Sequence, residues 1–140
     1  MTRLFHTATE EETIELGRQL ARELPRKAVV LLIGNLGAGK TTLAKGVVQG
    51  LGAATPEDVS SPTFTLIHEF AERVYHIDLY RLDTSAEVST LGLDEIFDRE
   101  AVVLIEWGER FPESMPSPRI EIHIEASGDD TRRIEVVSPD

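Results

Sequence analysis

Cysteine is absent from the 140 residues. Disulfides, cysteine-ligated zinc, iron–sulfur clusters and thiol catalysis are therefore excluded. No apolar run approaches the ~18 residues that a bilayer-spanning helix needs, so no membrane association is expected. Basic residues are scarce: 14 Lys plus Arg stand against 25 Asp plus Glu, a formal net charge of −11. Such a chain repels bare nucleic acid and anionic lipid, which argues against direct, non-specific RNA binding. The opening stretch runs quickly into Glu10-Glu11-Glu12, unlike the cationic start of a secretory signal. A soluble cytoplasmic protein is the expectation. What is present is globular in kind, with 41% hydrophobic and 28% charged residues, which is not the composition of a disordered chain. At roughly 100–200 residues per domain, residues 1–140 read as one domain. A chain of this size buries about two-thirds of its unfolded surface, enough for a core without staples.

Local patterns place the elements. Thr9 followed by Glu12 reads as a capping box opening a helix. Ile14, Gly17, Ala21 and Leu24 then fall near one face, with Leu16 and Leu20 widening the stripe, and Pro25 ends it. Ala28-Val29-Val30-Leu31-Leu32-Ile33 is a continuous apolar run, the pattern of a strand buried on both faces of a parallel sheet. Residues 34–39 are a glycine-punctuated loop, and Lys40 to Leu51 read as a helix with Gly52 as its cap. Residues 53–62 read as a loop. Thr63 to Phe70 and Val74 to Tyr80 read as two strands joined by Ala71-Glu72-Arg73 in an antiparallel hairpin. Thr84 and Glu87 form a second capping box before Val88, Leu91 and, after Gly92, Leu93 and Ile96, which read as a short or broken helix. Ala101 to Ile105 is a second buried-strand run. Residues 108–118, with Pro112, Pro116 and Pro118, read as irregular. Ile120 to Ile124 alternates strictly and Arg133 to Val137 more weakly, with Gly128-Asp129-Asp130 as a hairpin between them.

Gly34-Asn35-Leu36-Gly37-Ala38-Gly39-Lys40-Thr41 matches G-x-x-x-x-G-K-[ST], between a buried strand and a helix. Glycines let the backbone turn tightly and aim its N–H groups at phosphate oxygens. The helix N-terminus adds a favourable dipole. Lys40 brings a point charge to the outer phosphates, and the Thr41 hydroxyl suits a magnesium ion. A plain glycine-rich strand-to-helix turn is the bland alternative, and the flanking elements argue against it. No N/T-K-x-D segment marks guanine, so ATP is the default nucleotide. The expected architecture is an α/β, single-domain P-loop NTPase-like mixed sheet, with parallel core strands and antiparallel hairpins, flanked by helices.

Such a site needs a carboxylate near the metal. Glu106 ends the apolar run Val102-Val103-Leu104-Ile105, where a parallel strand delivers its last residue to the ligand end. Asp78 lies in Tyr75-His76-Ile77-Asp78-Leu79-Tyr80, which alternates and looks half-exposed. The competing readings are a solvent-facing acid for Glu106 and a surface carboxylate paired with Arg81 for Asp78. Ser61-Pro62-Thr63 occupies the place of a switch segment, where Thr63 would serve the metal or the attacking water; a simple turn reads equally well there. His76 suits a phosphate contact, orientation of Asp78, or a structural role, and the last is the commoner for a strand histidine. Trp107 suits stacking on a ligand or plain packing.

Taken together, Gly34 to Thr42, Ser61-Pro62-Thr63-Phe64, His76-Ile77-Asp78-Leu79-Tyr80-Arg81 and Ile105-Glu106-Trp107 make the chain resemble the TsaE (YjeE) family over nearly its whole length. These are small bacterial P-loop ATPases of tRNA threonylcarbamoyladenosine biosynthesis. Asn35 departs from the Asp common in the family. The resemblance implies binding of ATP and magnesium and slow intrinsic hydrolysis. It implies partnership with TsaB and TsaD, whose TsaD member modifies adenosine 37 of tRNAs reading ANN codons. The ATP cycle would reset that assembly between turnovers, and tRNA would be met only through the complex. By the same resemblance Thr41 and Glu106 hold magnesium and Lys40 binds phosphate. Asp78 and Thr63 serve hydrolysis. Asn35, Leu36, Gly37, Ala38, Gly39, Thr42 and Trp107 complete the nucleotide site. Arg81 and Arg110 are candidates for a charge-stabilising arginine.

Two other classes fit a phosphate loop. A small-molecule kinase needs an acceptor pocket and usually an arginine-rich lid, and no such segment occurs here. A non-hydrolysing nucleotide-dependent binding module needs only the loop.

Overall fold

A computed structural model describes residues 1–53 and 66–139. The Ser61-Pro62-Thr63-Phe64 segment, and with it the expected role of Thr63, lies outside the described residues. Seven strands form one sheet: β1 (Thr2–Thr7), β2 (Ala28–Ile33), β3 (Ile67–Phe70), β4 (Val74–Asp78), β5 (Val102–Glu106), β6 (Ile120–Ala126) and β7 (Arg132–Val137). Their spatial order is β1-β7-β6-β2-β5-β4-β3. Strands β6, β2, β5 and β4 run parallel. β1, β7 and β3 join antiparallel. The expected mixed sheet, with parallel core strands and closing hairpins, is therefore present.

The helices are α1 (Glu10–Ala21), α2 (Lys40–Gly50), α3 (Ser85–Ser89) and α4 (Leu93–Phe97). Thr9 caps α1 by accepting from the Glu12 amide, while Glu12 reaches back to the Ala8 amide at 2.8 Å. Thr84 and Glu87 make a complete reciprocal box at α3. The anticipated break between α3 and α4 falls at Gly92, whose φ is +70°. Residues 108–118 form two short 3-10 turns, Gly108–Arg110 and Pro112–Ser114.

Helices α1 and α2 pack side by side on one sheet face, over Val30, Leu32, Leu104, Ile122 and Ile134. They meet at glycine: a Cβ on Gly46 would lie 2.0 Å from the Ile14 carbonyl oxygen, and one on Gly17 2.5 Å from that of Leu43. On the other face, α3 and α4 cover Leu31, Tyr75, Ile77, Val103 and Ile105 through Val88, Leu93 and Ile96.

One expectation is corrected by the structure, and one strand has no counterpart in the sequence reading. The 75–79 segment is buried rather than half-exposed, and only Tyr80 opens to solvent, at 45% exposure. All five residues of β4 are buried, because β5 and β3 flank the strand and both faces are covered. β1 was not anticipated. It turns Arg3 and Phe5 partly inward and leaves Leu4 outward at 49% exposure. That inversion of polarity hides the strand.

Candidate functional site

The parallel register decides where chemistry collects. β5 runs alongside β2 with Glu106 opposite Leu32, and alongside β4 with Glu106 opposite Asp78. The last residues of β5 and β4 therefore emerge where β2 releases the loop that leads into α2. A Cβ on Gly34 would sit 2.5 Å from the Ile124 carbonyl oxygen, so the loop starts hard against β6. Gly39 precedes α2 with φ +106°, a conformation open to glycine and strained for other residues.

Lys40 is only 4% exposed. Its Nζ donates to the Gly34 carbonyl at 2.9 Å, and lies 3.5 Å from the centre of the Trp107 ring. Burial pushes its ammonium below the ordinary lysine range, while the carboxylates of Glu106, Glu109 and Asp78 pull it back up. Trp107 has a left-handed backbone, φ +68°. Tyr80 packs against that ring at 5.1 Å between centroids.

Glu106 is the centre of the hydrogen bonding. The Thr41 hydroxyl donates to its Oε2 at 3.1 Å, and His76 Nε2 lies 2.6 Å from the same oxygen. His76 is fully buried and Glu106 4% exposed. Two facing lone pairs would repel at that distance, so Nε2 carries the proton. His76 Nδ1 is buried with no partner among the described residues. Asp78, 4% exposed, accepts from the Tyr80 amide at 2.9 Å.

These groups surround a cleft of about 390 Å³. Of the residues singled out in the sequence, Leu36, Gly37, Gly39, Lys40, Thr41, Thr42, Asp78, Glu106 and Trp107 line it. Asn35 and Ala38 do not; with Leu36 and Gly37 they border a larger hollow of about 510 Å³ across the loop. That hollow holds neither Lys40 nor Glu106, so its size does not make it the reactive site. Both acids are buried, which corrects the alternative readings of solvent-facing carboxylates. His76 orients Glu106 rather than Asp78. Arg81 and Arg110 do not line the cleft, but Arg132 does. Nothing local in the sequence marks Arg132, the first residue of a strand remote from the loop.

Among the described residues no group of three or more His, Asp or Glu is arranged as a metal cage. The Thr41–Glu106 pair still suits magnesium, which typically takes one or two protein oxygens and fills its shell with waters and phosphate.

Comparison with known proteins identifies the family and the fold. A sequence model of the family described as "Threonylcarbamoyl adenosine biosynthesis protein TsaE" matches residues 7–134. The TsaE protein of Bacillus subtilis is 41% identical over 133 residues, spanning 93% of this chain and 82% of that protein. The Haemophilus influenzae TsaE protein is 37% identical over 137 residues, 92% of this chain and 85% of that one. The crystal structure of Bacillus subtilis YdiB superposes with a TM-score of 0.80 at 35% identity, covering 99% of this chain and 86% of that one. The cleft is thus carried on a fold and a sequence shared across these relatives, and the chain belongs to the TsaE family of threonylcarbamoyladenosine biosynthesis proteins.

Proposed function

We propose that the chain is a magnesium-dependent ATPase that serves threonylcarbamoyl modification of tRNA together with TsaB and TsaD. The observation that carries this reading is the convergence of Thr41 and His76 on one oxygen of Glu106, beside a buried lysine at the mouth of a glycine loop.

The loop amides and the α2 N-terminus receive the phosphate oxygens. Lys40 leaves the Gly34 carbonyl to meet the outer phosphates. Thr41 and Glu106 would hold magnesium, which would supply charge neutralisation for phosphoryl transfer. His76 fixes the rotamer of Glu106, so the carboxylate waits in position. Asp78, at the same end of the neighbouring strand, orients the attacking water. Trp107 shields the lysine side of the cleft from solvent.

The charge of −11 supports an indirect relation to tRNA. An acidic ATPase acts on RNA chemistry through partners whose surfaces hold the RNA. In this reading TsaD performs the transfer, and ATP turnover resets the assembly. Partner contact raises the slow intrinsic rate by completing the site.

The test is phosphate release with ATP and magnesium, with and without the TsaB–TsaD pair. Stimulated release is expected. Glu106→Ala should lower metal-dependent turnover at least about 100-fold, the cost of losing one preorganised charge-stabilising group. Turnover by Glu106→Ala at the wild-type rate, or phosphate appearing on a metabolite, would refute the assignment.

A further inference from the structure

Arg132 opens β7, directly after the hairpin that closes the sheet, and its side chain crosses to the glycine loop. Its Nε donates to the Ala38 carbonyl at 2.8 Å. Its Nη1 donates to the carbonyls of Thr131, Asp129 and Gly128 at 2.8, 3.1 and 3.5 Å. One guanidinium therefore ties the loop to the hairpin across a separation of 94 residues.

The bond to Ala38 has a directional consequence. Within a trans peptide the carbonyl and the N–H point opposite ways. Holding the Ala38 oxygen on the hairpin side turns the Gly39 N–H to the opposite side of the peptide, and Gly39 is itself part of the cleft lining. Gly39, at φ +106°, tolerates either orientation of the 38–39 peptide. A flipped peptide would place a carbonyl oxygen where an anion is to lie. Space matters as well: a Cβ on Gly39 would come within 3.2 Å of Arg132 Nε, so the missing side chain lets the guanidinium close on the loop. Arg132 also lines the cleft with Lys40, Thr41 and Glu106, adding a permanent cation to its wall.

We propose that Arg132 is a positioning residue of the phosphate nest, holding the Gly39 amide towards the phosphates of a bound nucleoside di- or triphosphate. The inference rests on the glycine loop being the phosphate site. It gives the closing hairpin a part in nucleotide recognition.

The test is calorimetric titration of the full chain with ADP and with ATP plus magnesium. Arg132→Ala is expected to raise both dissociation constants about 10- to 100-fold, the scale for losing a charge-assisted hydrogen bond. Both nucleotides should lose affinity, because both carry the phosphates that the amide would meet. The loss should appear in both dissociation constants and not in turnover alone, separating a binding effect from a catalytic one. Arg132→Lys keeps the charge but lacks the fork that reaches loop and hairpin together, so it should recover only part of the affinity. Arg133→Ala, an equal charge change at the exposed neighbour, should bind as wild type. Wild-type affinity in Arg132→Ala would overturn the proposal. So would a loss confined to turnover, or equal losses in Arg132→Ala and Arg133→Ala. If the wild-type chain binds neither nucleotide, the phosphate-site reading falls and takes this inference with it.

Discussion

The two halves of the sheet are built to different standards. In the parallel half, every residue of β4 and β5 is buried, and β2 is buried over its centre. In the half closed by the antiparallel strands, β1, β7 and much of the parallel strand β6 beside them alternate between covered and solvent-facing positions. The acids of the cleft issue from the first half, at the ends of β4 and β5. The second half sends one arginine, which touches a loop carbonyl. A buried strand holds its terminal carboxylate in a fixed, poorly hydrated position, which suits the metal-holding role proposed for Glu106. A half-open strand tolerates surface polarity and fits a supporting role.

Substitutions can break this contrast or sharpen it. The largest effect is expected at Leu104, fully buried in β5. Leu104→Ala should cost about 2–5 kcal/mol in urea unfolding, the range for a leucine-sized cavity in a core. A loss below 1 kcal/mol would show that the parallel half yields easily. Next comes His76. His76→Leu removes the donor 2.6 Å from Glu106 while keeping an apolar side chain in the space. Apparent magnesium affinity in the ATPase assay should fall about 10- to 100-fold, as for other outer partners of metal-bound carboxylates. An unchanged magnesium titration would show that Glu106 needs no such support.

A third effect concerns pH. Burial lowers the Lys40 pKa in the free protein, and bound phosphates would raise it again. The lysine's contribution to binding is then complete below the free-state pKa. It fades as pH rises through the free and then the bound value. Nucleotide affinity should begin to drop at a lower alkaline pH than an ordinary lysine would dictate, with proton uptake on binding. Titration calorimetry in buffers of different ionisation heat would detect that uptake, and its absence across the alkaline range would count against the role of Lys40. The smallest effect is expected at Leu4, outward on β1. Leu4→Ala should shift unfolding by no more than about 0.5 kcal/mol; a larger loss would mean that the antiparallel half is packed more like the other.

The same contrast explains what the sequence made legible. Signals carried within a few residues were readable: the apolar runs of β2 and β5, the caps at Thr9 and Thr84, the glycine loop, and the helix break at Gly92. Glu106 was legible because a buried strand ending in an acid is unusual. The burial of β4 was not, because a histidine inside it looks polar until Glu106, 30 residues later, is set beside it by parallel register. Arg132 was illegible for the same reason over a longer separation. β1 escaped because Arg3 and Leu4 sit on the faces opposite to those their chemistry suggests. Thr63 lies outside the described residues and stands as an expectation.

Trp107 is the only tryptophan in the chain, and a lysine ammonium rests 3.5 Å from the centre of its ring. A cation held against an indole alters its emission, so the protein carries its own optical probe at the heart of the cleft. Any occupant that draws Lys40 off the ring will register in the fluorescence spectrum with no dye attached.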